Sequence, residues 1–214
     1  MTTMRFMAKN NNLARVIVVL WMGLSTTAGL SQDLSGSLSG QFDHPILRRY
    51  AAVIYLENMD SQPSYAVPEM NPVMDQINLR FTPHVLPVLA GSTIDFPNSD
   101  ETRHNVYTSR SSACQFELGI YAEGEVKQVT CDEPGVIMVL CNVHAEMRGF
   151  VIVSPTPYVA TTEQDGSFTI ENILPGRYRV IFEHERLNTA PIEIQIEASK
   201  TVVASFGKLG RKRR

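Results

Sequence analysis

Hydrophobic and polar positions alternate in short runs along most of the chain, with the period of a strand rather than a helix. Runs rich in β-branched and aromatic residues fall at 51–56, 77–81, 85–89, 92–96, 105–108, 126–131, 136–141 and 150–153. Four more follow at 167–170, 178–182, 192–196 and 201–206. Turn-forming pairs separate them, among them Ala90-Gly91, Pro97-Asn98, Glu123-Gly124, Pro134-Gly135, Asp165-Gly166 and Pro175-Gly176. Short strands at roughly 8–12-residue spacing with this punctuation predict an all-β sandwich or barrel. The stretch 58–72, with Pro63, Pro68 and Pro72, reads as a long connection.

The first thirty residues follow another pattern. Arg5, Lys9 and Arg15 precede an apolar run from Val16 to Leu24, and small residues follow at 25–29. This is the layout of a secretory signal peptide, 1–30; the run is shorter than the roughly 20 residues a membrane span needs. The expected location is periplasmic, after export. Removing the three cations takes the formal charge from −3 to −6. Five of the remaining cations, Lys208, Arg211, Lys212, Arg213 and Arg214, form a basic tail over 208–214. An acidic body favours a basic protein partner and argues against nucleic acid. The tail reads as a solvated end, with weak contact to anionic lipid as the alternative.

The chemistry concentrates in Cys141-Asn142-Val143-His144-Ala145-Glu146-Met147. A thiolate, an imidazole and a thioether can reach one ion if the chain turns back after the cysteine, and His104 supplies a second imidazole from an upstream loop. Two imidazoles and a thiolate with a weak axial Met form the ligand set of a blue-copper electron-transfer site. The apolar run 136–140 ends at Cys141 and would keep the sulfur rigid and dry. Zinc is the chemical rival but has little use for a thioether. Taken singly, Cys141 and Met147 are ordinary core residues and His144 a surface imidazole; the combination is what carries the reading. With Cys141 as a ligand, Cys114 and Cys131 either pair in an oxidising compartment or stay reduced.

These residues resemble the cupredoxin family, and within it amicyanin-like proteins of methylamine utilisation. The shared features are C-x-x-H-x-x-M continued by Arg148-Gly149, the strand Gly91-Ser92-Thr93-Ile94-Asp95-Phe96, then Asn98, then His104-Asn105-Val106. The resemblance covers about 80 residues and implies a Greek-key β-sandwich, one type 1 copper, equatorial ligands His104, Cys141 and His144, and Met147 axial. It also implies an electron carrier rather than an enzyme, with a periplasmic dehydrogenase or a c-type cytochrome as redox partner. Asn105 is a candidate to bridge the two ligand loops. Ala145 stands where amicyanin-type loops usually carry Pro, which bears on partner preference.

The remainder resembles the carboxypeptidase-regulatory-like (transthyretin-like) sandwich. Asp165-Gly166-Ser167-Phe168 and Pro175-Gly176-Arg177-Tyr178 carry the likeness, with 35–40 and 51–56 as counterparts of its first strands. The expected organisation is a discontinuous sandwich, 34–60 plus 157–207, with a copper domain at 74–154 inserted; two tandem domains are the alternative. His84 reads as structural or exposed, His44 as a turn residue, and His184 as an exposed strand end. No nucleophile elbow, phosphate loop, dinucleotide fingerprint or HExxH is present, and five histidines are too few for a second copper centre. The competing class is a binding module for copper delivery or an extracellular β-sandwich binding protein.

Overall fold

A computed structural model describes residues 34–61 and 63–212. The expected signal peptide and the last two arginines of the tail lie outside the described residues. The described residues are almost entirely strand and turn. In chain order they form β1 (Gly36–Gln41), a 3-10 turn (Pro45–Arg48), β2 (Val53–Asn58), β3 (Asp75–Gln76), β4 (Phe81–Thr82) and β5 (Val85–Leu89). Next come β6 (Thr93–Pro97), β7 (His104–Thr108), β8 (Glu117–Tyr121), β9 (Val126–Thr130), β10 (Gly135–Leu140) and β11 (Arg148–Ser154). The last are β12 (Val159–Thr161), β13 (Ser167–Ile173), β14 (Gly176–Glu183), β15 (Leu187–Asn188), β16 (Ile192–Ile196), β17 (Thr201–Val203) and β18 (Gly210–Arg211).

The middle of the chain builds a cupredoxin sandwich. One sheet has the order β5-β11-β10-β7-β8; the opposite face is made by β6-β9, with β3-β4 joined to β6 through bridges Val73–Asp95 and Gln76–Asn98. Its core holds Ile94, Phe96, Val106, Ile137, Val139, Val151 and Val153, with Cys141 and Met147 at one end. The flanking segments build the second, smaller sandwich. Sheet β13-β1-β17 faces sheet β12-β2-β14-β16, so strands from both sides of the middle segment pair with one another. Leu38, Ile54, Leu56, Phe168, Tyr178 and Val180 lie in its core.

The two cores meet back to back, which explains two runs that do not alternate. Along β2, Ile54 and Leu56 enter the second sandwich's core, while Val53 and Tyr55 belong to a separate cluster with Ile152 of β11. Along β11, Val151 and Val153 face the cupredoxin core and Ile152 faces away from it. A strand buried on both faces needs apolar residues at successive positions. Each such side chain is worth roughly 1.5–3 kcal/mol of burial.

Glycine is required at two places, one in each sandwich. Gly166 has φ 82° in the β12–β13 turn, and any Cβ there would run into the Phe42 carbonyl. At Gly149, just after the ligand loop, a Cβ would lie 2.9 Å from that of Phe81.

Three expectations need correction, and one strand lies where the pattern predicts none. The run 77–81 is not a strand: Ile77–Arg80 close a two-residue hairpin turn, with Asn78 and Leu79 at φ 54° and 58°. Its apolar residues suggested a strand, but both central positions are left-handed, as a primed hairpin turn demands. Strand β8 carries Gly119 and few β-branched residues, so its pattern gave no signal; it is an edge strand held by β7. His184 is buried rather than exposed, at 5%. The basic tail, as far as residue 212, is not a free end. Strand β18 pairs with β15, the Lys212 N–H donates to the Arg186 carbonyl at 2.8 Å, and Lys212 Nζ meets Glu183 at 2.7 Å.

Candidate metal centre

Two loops at one end of the cupredoxin sandwich supply the donors. His104 opens β7 and is fully buried, because β7 is sandwiched between β10 and β8. Cys141 directly follows β10, whose alternation places Ile137, Val139 and then Cys141 inward. The chain then turns on itself. The Met147 N–H donates to the His144 carbonyl at 2.9 Å, and the Cys141 N–H to the Met147 carbonyl at 3.2 Å. These two bonds close the loop before β11 begins.

His104 Nδ1, His144 Nδ1 and Cys141 Sγ converge. The two nitrogens are 3.1 Å apart, and the sulfur stands 3.8 Å from His104 Nδ1 and 4.0 Å from His144 Nδ1. Among the described residues this is the group of His, Cys or acidic side chains arranged to hold a metal. Donors at this spacing can all lie about 2.0–2.3 Å from one centre, the range of metal–imidazole and metal–thiolate bonds. Met147 is buried in the same core cluster, 1% exposed, on the same loop. His144 is half-buried, while Asn142, Val143, Ala145 and Glu146 around it are exposed.

The protonation pattern also suits a cation. His104 Nε2 lies 2.9 Å from Asp100 Oδ2. Burial works against the Asp100 charge, but the N–H groups of Leu79 and Asn78 and the His104 imidazole outweigh it and hold its carboxyl below the usual range. An ionised carboxylate only accepts, so His104 donates from Nε2, and this contact turns Nδ1 toward Cys141 and His144. The ring orientation is therefore set before any ion arrives.

Asn105 ties the two donor loops together. Its Oδ1 accepts from the Asn142 N–H at 2.8 Å, and its Nδ2 donates to Glu117 at 2.8 Å. The residue beside Cys141 is thus fastened to the residue beside His104. Asp100 was not apparent from sequence, although its place four residues before His104 was the available signal. Tyr121 stands opposite His104 across the β7–β8 pairing, and its hydroxyl donates to the Phe96 carbonyl at 3.0 Å and receives Gln76 Nε2. Burial pushes the Tyr121 phenol well above its ordinary value, so it stays neutral.

The other histidines do not join this group. His44 Nδ1 accepts the Ile46 N–H and caps the 3-10 turn. His84 Nε2 pairs with Glu185 at 3.2 Å. His184 is satisfied by backbone alone, Nε2 to the Tyr50 carbonyl and Nδ1 from the Arg186 and Leu187 N–H groups. The remaining cysteines, Cys114 and Cys131, form a disulfide with Cα atoms 5.8 Å apart.

The converging donors suit a copper ion. Residues 68–154 match the family of copper binding proteins, plastocyanin/azurin family, and the cofactor is copper. No curated protein matches the sequence. Among solved structures the chain is similar to a purple cupredoxin from Nitrosopumilus maritimus at 21% identity and TM-score 0.36, over 39% of this chain and 100% of that one. It is similar to the reduced state of an amicyanin mutant at 23% identity and TM-score 0.37, over 46% of this chain and 98% of that one. A copper-containing nitrite reductase from Thermus scotoductus SA-01 is similar at 21% identity and TM-score 0.39; the chain spans 25% of its length.

Proposed function

We propose that the protein is an exported type 1 copper electron carrier, passing single electrons between a periplasmic dehydrogenase and a cytochrome-type acceptor. In this reading His104, Cys141 and His144 hold the ion and Met147 is the weak axial donor. The observation that carries it is the convergence of two imidazole Nδ1 atoms and one thiolate sulfur. The Asp100 contact that orients the His104 ring adds to it. Bound copper supplies a one-electron couple. The chain does the rest: Asp100 and Asn105 keep the donors in place in either charge state, and the apolar core excludes water from Cys141. The half-buried edge of His144 is the exit toward solvent, and exposed acidic Glu146 beside it suits a basic partner. Amine oxidation is the pathway the motif resemblance suggests.

The same reading divides the chain into a copper unit, 74–154, inserted in a sandwich made from 34–60 and 157–207. Back-to-back packing of Val53 and Tyr55 against Ile152 supports that division. It would hold the copper unit at a constant orientation to its neighbour.

The test is optical and electrochemical. The purified protein loaded with Cu(II) should show an intense thiolate-to-copper band in the visible region and be reversibly reduced. A colourless, redox-silent protein that still takes up Cu(I) would replace the carrier by a delivery module.

A further inference from the structure

We propose that the protein carries a basic face that docks on an anionic phospholipid surface. The face is built where the C-terminal segment returns to the body. Strand β18 brings Arg211 beside Leu187, and the Lys212 N–H bonds the Arg186 carbonyl. Arg186, Arg211, Lys212 and His44 line one open cleft of about 620 Å³, and Lys208 lines a second that also includes His44. Arg49 and Arg186 flank the Tyr50 ring at 5.3 and 4.9 Å. Arg148 enters from the copper unit, 4.0 Å from Glu185. All six of these cations are exposed, and Arg213 and Arg214 follow in sequence.

The counter-charges are few and already engaged. Glu183 pairs with Lys212, and the Glu185 carboxylate lies between His84, Arg148 and Arg186. The Arg186 contact with Glu185, at 2.7 Å, is one of charge rather than an aligned hydrogen bond. Asp43, lining the second cleft, is the other acidic group there. The face is therefore net positive on a chain whose formal charge is −3. Such segregation orients the whole molecule in a field.

Two features favour a lipid surface over an acidic protein. Protein interfaces draw their affinity from exposed aromatic or apolar anchors. None of the exposed large hydrophobic residues lines these clefts, and the Tyr50 ring is flanked by arginines. The cations are mostly arginines spread over several elements, suited to paired bonds with phosphate oxygens on a plane. Each cation near an anionic leaflet contributes a similar small increment, so affinity comes from number rather than from one pocket. Exposed Glu101, Glu123 and Glu146 are repelled by the same surface.

The test is co-sedimentation of the copper-loaded protein with vesicles. Phosphatidylglycerol-containing vesicles should bind it at low ionic strength and release it in high salt, whereas phosphatidylcholine vesicles should not bind it. R211Q/K212Q should weaken binding by roughly tenfold or more, and R110Q/K200Q, which lies outside these clefts, should leave it unchanged. The visible spectrum of both variants should match the parent, and apo protein should bind equally, so this result is separable from the electron-carrier reading. The proposal falls if phosphatidylglycerol vesicles do not bind, if neutral vesicles bind equally, or if R211Q/K212Q has no effect. Binding of polyglutamate without vesicle binding would replace the lipid by an acidic protein.

Discussion

Asp100 Oδ2 stands 2.9 Å from His104 Nε2, while the other contacts of that carboxylate come from the left-handed turn at Asn78 and Leu79, at 2.6 and 2.9 Å. One side chain therefore locks a hairpin turn and a donor imidazole together. The Asp100→Ala variant loses the acceptor that orients the imidazole. Its copper affinity should fall by about ten- to a hundredfold, read by competition with a chelator. Asp100→Asn keeps one acceptor and should recover most of it. An unchanged affinity in the alanine variant would show that the imidazole is held by packing alone.

Cys141 and Met147 should respond differently to substitution. Cys141→Ser removes the soft thiolate, and the visible band should vanish. On the proposed ligand set, Met147→Gln replaces a weak axial donor, so copper should stay bound while the reduction potential shifts. Voltammetry with metal analysis distinguishes the outcomes. Loss of copper from Met147→Gln would mean that Met147 does more than sit on the axis.

The Cys114–Cys131 disulfide joins residues 17 apart in sequence, from the loop before β8 to the end of β9. Closing a loop of that size removes unfolded-state entropy worth about 3 kcal/mol. The double serine variant should lose stability of that order in urea titration of the apo protein. Its effect should reach the edge strand β8 first, because the core strands have other partners.

His184 gives a pH dependence with a definite sign. Burial lowers its pKa from 6.5 in spite of the Tyr50 carbonyl that favours its protonated form. Its Nδ1 is occupied as an acceptor by two backbone N–H groups. The folded state therefore resists the proton that the unfolded chain accepts. The stabilisation from this group is complete above pH 6.5 and declines as pH falls toward the lower folded value. Urea midpoints of the parent protein should drop across that window, and His184→Gln should flatten the drop. A midpoint independent of pH between about 7 and 5 would contradict it.

Ile152 and Val53 should couple the two sandwiches. Ile152→Ala in the shared cluster should cost about 2–5 kcal/mol. The diagnostic effect is loss of cooperativity: the parent should unfold in one transition, and the variant in two. A single unchanged transition would mean that the interface contributes little.

Local patterning and donor types were legible in the chain itself. Alternation along 192–196 marks a strand that the structure places at that same position, because side-chain period on a pleated strand is a local property. The Cys-x-x-His-x-x-Met spacing is likewise local, since a single tight loop connects its members. Residues 77–80 misled because hydrophobicity does not report backbone handedness. Long-range partners decided the rest. The orientation of the His104 ring depends on Asp100 meeting a hairpin turn more than twenty residues earlier. His184 is buried because the turn after β14 meets the Tyr50 carbonyl from a distant part of the chain, and the tail to residue 212 is strapped down because β18 pairs with β15. Such contacts join groups whose separation in sequence carries no signal, and only packing of the whole chain brings them within bonding distance.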